Sequence, residues 1–220
     1  MMDFENARTT MVDCQIRPND VTDHRVIDAF MSVPREAFVS AAQRPLAYID
    51  EDLPLSSGGS KRYLMEAMAM SKLVQLADIE EDNIVLDIGC GSGYSTAVLS
   101  KLCNSVVALE CDEALAAQAT QTLTELGCDN TVVVTGALES GLAKEGPYDA
   151  IFVGGAVDFV PESLLAQLKD GGRLVAVEGT GNAGVAKLYT RDGDVIGANE
   201  AFNSSVMPLP GFQREVGFTF

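Results

Sequence analysis

The chain has 220 residues, 47% of them hydrophobic, and a formal net charge of −17. That composition supports one sizeable folded domain with a short accessory segment and argues against disorder. The acidic surface, with no basic stripe to offset it, repels phosphate backbones and excludes nucleic acid as a partner, while keeping the protein soluble. The opening "MMDFENARTT" holds acids and no apolar stretch, so it does not read as a signal peptide, and no run reaches the roughly 20 apolar residues of a membrane span. Cys14, Cys90, Cys103, Cys111 and Cys128 are scattered and odd in number, with no C-x-x-C pair, so they read as reduced thiols of a cytoplasmic protein, with neither a disulfide frame nor a metal site.

Along residues 1–80, "DHRVIDAFMSV" and "YLMEAMAMSKLVQLA" carry helical spacing, with the turn-rich "PLAYIDEDLPLSSGG" between them. This predicts a helical N-terminal extension packed on a second unit over residues 81–220. His24, the lone histidine, reads as a helix-surface or packing residue. From residue 84 short aliphatic runs alternate with helical stretches. "NIVLDI" reads as a buried strand, "YSTAVLSKL" as a helix and "SVVALE" as the next strand. "DEALAAQATQTLTEL" is helical, with Asp112 and Glu113 in its first turn and Gly127 just past its end. "TVVVTG" and "YDAIFVGGA" are strands, and Pro161 opens a helix over "PESLLAQLK" that stops at Gly171-Gly172. "RLVAVEG" is a fifth strand, and "VAKLYTRDGDVIGANEAF" a strand, an Asp192-Gly193 turn and a strand. The expected fold is a doubly wound α/β unit whose seven-stranded sheet is mostly parallel and ends in an antiparallel hairpin.

In such sheets ligands sit beyond the carboxyl ends of the strands, where strand order reverses. "VLDIGCGSGYS" places Gly89, Gly91 and Gly93 there, where bare backbone permits a sharp turn and a close approach. A dinucleotide fingerprint needs a last glycine at position 94, which is Tyr94, and the carboxylate of Asp87 would repel a pyrophosphate. Glu110, at the end of the second strand, is placed to accept both hydroxyls of a ribose. A nucleoside with a cationic tail and no phosphate satisfies these residues together, which points to S-adenosylmethionine. The expectation rests on an open crevice; one filled by side chains counts against it.

On these residues the chain resembles the protein-L-isoaspartate O-methyltransferases, a family of class I, Rossmann-like methyltransferases. "VPREAFV" with "LAYIDEDLPL" is similar to that family's N-terminal segment, "VLDIGCGSGYSTAVLSKL" to its cofactor loop, and "GPYDAIFVGGAVDFVPESLLAQLKDGGRLV" is the closest match. The resemblance implies methyl transfer from S-adenosylmethionine to the free α-carboxylate of L-isoaspartyl residues in damaged proteins, by a cytoplasmic monomer. It implies a cofactor site of Gly58, Gly59, Asp87, Gly89, Cys90, Gly91, Gly93, Glu110, Cys111, Gly136 and Ala137, with Ser60, Lys61 and Arg62 facing substrate and methyl. Two positions depart from the family pattern. Its threonine-isoleucine-serine segment is replaced so that Arg62 or Lys61, depending on the direction of counting, stands at the serine, and Gly136-Ala137-Leu138 replaces a glycine-aspartate-glycine. These departures keep two alternatives open: a relative that methylates another substrate, and a non-catalytic protein that binds S-adenosylmethionine.

Overall fold

The structure is a computed structural model and describes residues 3–55, 61–179 and 181–214. Helix α1 (Phe4–Met11) starts at Asp3, whose carboxylate accepts from the Asn6 amide at 3.0 Å, and α2 (His24–Ser32) starts at Asp23, which accepts from Arg25. Both carboxylates satisfy amides that the first helical turn leaves unpaired. After two short 3-10 turns, β1 (Leu53–Pro54) pairs antiparallel with β2 (Tyr63–Leu64), and α3 (Ala67–Ala77) follows. The helix expected from Tyr63 therefore begins four residues late. Tyr63 and Leu64 are committed to β1, and Asp52 takes the Glu66 amide at 2.8 Å.

The main sheet contains β3 (Ile84–Ile88), β4 (Ser105–Glu110), β5 (Thr131–Thr135), β6 (Tyr148–Val157), β7 (Leu168–Glu178), β8 (Val185–Asp192) and β9 (Val195–Asn203), in the spatial order β5-β4-β3-β6-β7-β8-β9. Strands β3 to β7 run parallel, and β8 and β9 form the antiparallel hairpin. The seven-stranded sheet is the one expected from the aliphatic runs. Helices α4 (Tyr94–Leu99), α5 (Glu113–Glu125) and α6 (Glu162–Leu165) complete the unit. The helix expected over "PESLLAQLK" shrinks to Glu162–Leu165, because Leu168 already pairs with Tyr148 in the sheet. Gln167 marks the change: its side chain binds the Leu142 amide and the carbonyls of Ser140 and Ser163.

Alternate residues of the strands feed two cores. Val85, Ala150 and Phe152 join a cluster with α1, α2 and α3, while Leu86, Ile88, Ile151 and Val153 join another on the opposite face. Period-two burial on both faces explains why these strands read as continuous aliphatic runs. Tyr94, the residue that breaks the dinucleotide fingerprint, is fully buried and meets Phe30 and Phe38 edge-on. Arg35 stacks on the same ring at 4.7 Å and donates to the carbonyls of Ala47 and Met65, both at 2.7 Å. One aromatic side chain thus ties the N-terminal extension to the start of α4, directly behind the glycine turn.

Candidate functional site

Strand order reverses at β3, which has β4 on one side and β6 on the other. The turn Gly89–Gly93 leaves β3 at that point. Gly89 and Gly91 have φ of +78° and +57°, a region that side chains with a Cβ avoid. Gly93 serves packing as well: a Cβ there would stand 3.1 Å from that of Ala119 on α5. The turn is therefore a constrained structure, closed by the amide of Gly93 on the carbonyl of Cys90.

Two carboxylates end the neighbouring strands, and both are fully buried. Asp87 accepts from the hydroxyls of Ser95 and Thr96, each at 2.7 Å, through Oδ2. Its Oδ1 has no hydrogen-bond partner among the described residues. Burial pushes the Asp87 carboxyl up to about 6, against the pull of those two hydroxyls. Glu110 stands the other way. Its Oε2 takes the Gly91 amide at 2.7 Å, and its Oε1 takes the amides of Cys111 at 2.9 Å and Asp112 at 3.1 Å.

Both oxygens of Glu110 also receive a guanidinium. Arg62, 2% exposed, donates Nε to Oε1 at 3.0 Å and Nη2 to Oε2 at 2.8 Å, and the same Nη2 reaches the carbonyl of Gly89 at 2.7 Å. Burial would raise Glu110, but the hydrogen bonds and charge of Arg62, with the amides of Asp112 and Gly91, hold it below the usual carboxylate range. Burial likewise works against the Arg62 charge, and Glu110 more than compensates, raising its pKa.

Apolar side chains fill the remaining space. A Cβ on Gly89 would stand 2.8 Å from Leu209 Cδ2 and 3.0 Å from Arg62 Nη2, and one on Gly91 would stand 2.6 Å from Leu55 Cδ1. Among the described residues, two small cavities lie here, of about 10 Å³ between Arg62, Tyr63 and the segment Val206–Pro208, and of about 20 Å³ beside Gly89, Cys90 and Ser95. Each has room for about one water, whereas a nucleoside needs a pocket of some hundreds of Å³. The bare backbone of the turn is occupied by the chain's own residues.

Comparison with known proteins identifies the lineage. The model of the family Protein-L-isoaspartate(D-aspartate) O-methyltransferase matches residues 6–211. The chain belongs to the protein-L-isoaspartate O-methyltransferase family. A relative from Roseiflexus castenholzii named protein-L-isoaspartate O-methyltransferase is 40% identical over 96% of this chain and 94% of its own length, and one from Shewanella sediminis is 41% identical over 78% and 69%. A solved protein-L-isoaspartate O-methyltransferase superposes with a TM-score of 0.82 at 25% identity, covering 93% of this chain and 67% of that one. A Plasmodium falciparum protein named for the same activity, solved in complex with S-adenosyl-L-homocysteine, superposes at 0.77 with 19% identity over 96% of this chain and all of its own, which speaks for the fold alone.

Within this isoaspartyl methyltransferase fold, the residues expected from sequence gather at the ends of β3, β4 and β5. Cys90 is buried, and burial carries its thiol well above the ordinary value; Cys111 is half-buried and pushed up to about 11, so neither is a reactive thiolate. Gly136 donates its amide to the carbonyl of Glu110 at 3.0 Å, and Ala137 precedes a 3-10 turn. Lys61 is exposed, whereas Arg62 is buried and enters the crevice. Gly58, Gly59 and Ser60 lie outside the described residues.

Sequence reasoning missed Leu55, Leu209 and Asp52. The Leu209 amide binds the carbonyl of Ala156 at 2.8 Å, and Asp52 bridges the amides of Glu66 and Met207 at 2.8 and 3.0 Å, which holds the C-terminal segment beside the turn. A signal existed: Gly154-Gly155 inside a strand marks a close backbone approach, and a Cβ on Gly155 would stand 2.8 Å from both Leu209 Cγ and the Met207 carbonyl.

Proposed function

We propose that the chain transfers a methyl group from S-adenosylmethionine to the free α-carboxylate of L-isoaspartyl residues, the first step in repair of damaged aspartate and asparagine. The observation that carries this reading is the pair of buried carboxylates flanking the glycine turn, Glu110 ringed by backbone amides and Asp87 with an oxygen that no described residue pairs. Glu110 suits the two hydroxyls of a ribose, and Asp87 suits a cationic group, whose arrival would restore its ordinary acidity. These acceptors fit the cofactor; the volume does so only after Arg62, Leu55 and Leu209 have withdrawn.

The bound cofactor supplies an electrophilic methyl on its sulfonium. Its acceptor, a carboxylate, is already ionised at neutral pH, so no side chain has to remove a proton. The protein's contribution is to hold the nucleoside through Glu110 and the turn, to align substrate and methyl, and to exclude water. Tyr94, locked between Arg35, Phe30 and Phe38, keeps the turn rigid from behind.

We assign residues 81–220 to the cofactor-binding unit and residues 1–80 to an extension that covers it. The cofactor-binding set comprises Gly58, Gly59, Asp87, Gly89, Cys90, Gly91, Gly93, Glu110, Cys111, Gly136 and Ala137, with Ser60 and Lys61 on the substrate side; Arg62, expected there as well, lies instead on Glu110 in the cofactor crevice. Isoaspartyl proteins are the partners, met by a monomer in the cytoplasm; the net charge of −17 disfavours nucleic acid, and among the described residues no helix is long and apolar enough to cross a membrane. Incubating the protein with labelled cofactor and an isoaspartyl peptide, beside its normal aspartyl twin, tests the reading by base-labile methyl ester. Label on the isoaspartyl peptide alone is the expected result. Labelling of neither peptide would overturn the reading.

A further inference from the structure

We propose that Arg62 is an internal competitor for the ribose site, so that the cofactor must exchange itself for the chain's own guanidinium before it can bind. This rests on the cofactor reading above and adds to it a residue that sets affinity.

A ribose presents two adjacent hydroxyl donors to a carboxylate, and a guanidinium presents two parallel N–H donors in a rigid fork. Both address the same two oxygens. Arg62 meets both oxygens of Glu110 at 3.0 and 2.8 Å and caps the Gly89 carbonyl at 2.7 Å, inside the turn. The amides of Gly91, Cys111 and Asp112 remain on Glu110 with either occupant, so the exchange replaces one pair of donors by another. Leu209 over Gly89 and Leu55 over Gly91 lie against the same turn, and the cavities beside it among the described residues, of about 10 and 20 Å³, have no room for a nucleoside next to Arg62. Lysine would not reproduce this fork, because its ammonium lacks two parallel N–H donors held rigidly in one plane.

The apparent cofactor affinity is then the intrinsic affinity multiplied by the fraction of molecules in which Arg62 has left Glu110. Calorimetry with S-adenosylhomocysteine measures this directly, without any turnover. Arg62→Ala is expected to bind at least about tenfold tighter than the unaltered chain, and adding Glu110→Gln to that variant is expected to abolish the gain. Leu209→Ala, which thins the packing over Gly89 and leaves the ion pair whole, is expected to give a smaller gain in the same direction and stands in should Arg62→Ala fold poorly. Equal or weaker binding by both Arg62→Ala and Leu209→Ala, with measurable binding by the unaltered chain, would overturn the competition while leaving the cofactor reading intact. No binding by any of the proteins at millimolar ligand would remove the cofactor reading itself, and the competition with it.

Discussion

Asp87 and Glu110 end adjacent parallel strands, each is fully buried, and their acidities move in opposite directions. Burial raises both. What separates them is the donor set: two neutral hydroxyls on one oxygen of Asp87, against a guanidinium and several amides across both oxygens of Glu110. Among the described residues, one carboxylate is therefore left short of partners, and the other is satisfied from within the chain. The difference teaches that an acid at the end of a strand takes up a ligand only by exchanging donors it already has. Here the protein supplies them itself.

The largest effect should come from breaking the satisfied member. Glu110→Leu leaves the Arg62 guanidinium buried beside an apolar side chain and removes the acceptor of the Gly91, Cys111 and Asp112 amides. The expected loss is about 3–5 kcal/mol in denaturant unfolding, the usual consequence of removing one partner of a buried ion pair. Arg62→Met in the same chain should recover a large part of it, since a buried pair replaced as a unit by apolar groups is often close to neutral. Additive losses in the double variant would mean that the two side chains do not act as a pair.

A smaller effect of opposite sign belongs to Asp87. Its folded pKa of about 6 lies above the ordinary 3.8, so its ionisation works against the folded state. The sign is that of a raised acid: stability is full below the ordinary pKa and is lost as pH rises through about 6. Asp87→Asn keeps an acceptor for Ser95 and Thr96 and removes the buried charge. At pH 7.5 it should stabilise the protein by up to about 3 kcal/mol, the gap narrowing between pH 6 and pH 4. A variant less stable than the parent at pH 7.5 would show that Asp87 gains from its charge in the folded chain.

How much of this was legible before the fold was known follows from the range of the interactions involved. The strands, the hairpin and the glycine turn are written in local patterns: a continuous buried run from Val85 to Ile88, branched residues in β4 and β5, and glycines where φ must be positive. Asp112 at the start of α5 is a local cap and could be read as one. The helix ends at Tyr63 and Lys169 were misjudged because distant partners decide them: Leu53 pairs with Leu64, and Tyr148 pairs with Leu168. The contents of the crevice were hidden for the same reason. Arg62 reads equally well as a solvated charge at a helix start, and only the approach of β2 to the end of β4 brings its guanidinium within 2.8 Å of Glu110, 48 residues away. Leu209 is more distant still and has no periodic neighbours to announce it.

The smallest effect extends the comparison to a carboxylate between the two extremes. Glu66 follows β2 and is only partly buried, and burial followed by the nearby charges of Asp52 and Asp50 pushes it up to about 7. Its sign is that of Asp87, so it destabilises the fold as pH rises through about 7, whereas the lowered pKa of Glu110 protects the fold at every pH above the ordinary carboxylate value. The two raised acids therefore favour a gain in thermal stability on acidification from pH 7.5 towards pH 5, before protonation of Glu110 begins to release Arg62. Glu66→Gln should raise the melting temperature by about 1–3 °C at pH 7.5 and leave it unchanged near pH 4.5. Solvent screening at a partly exposed site keeps that shift small. Because Glu66 shares Asp52 with the Met207 amide, an effect larger than that of Asp87→Asn would show that the acid cluster beside the C-terminal segment, and not the strand-end carboxylates, governs how firmly Leu209 is held over the turn.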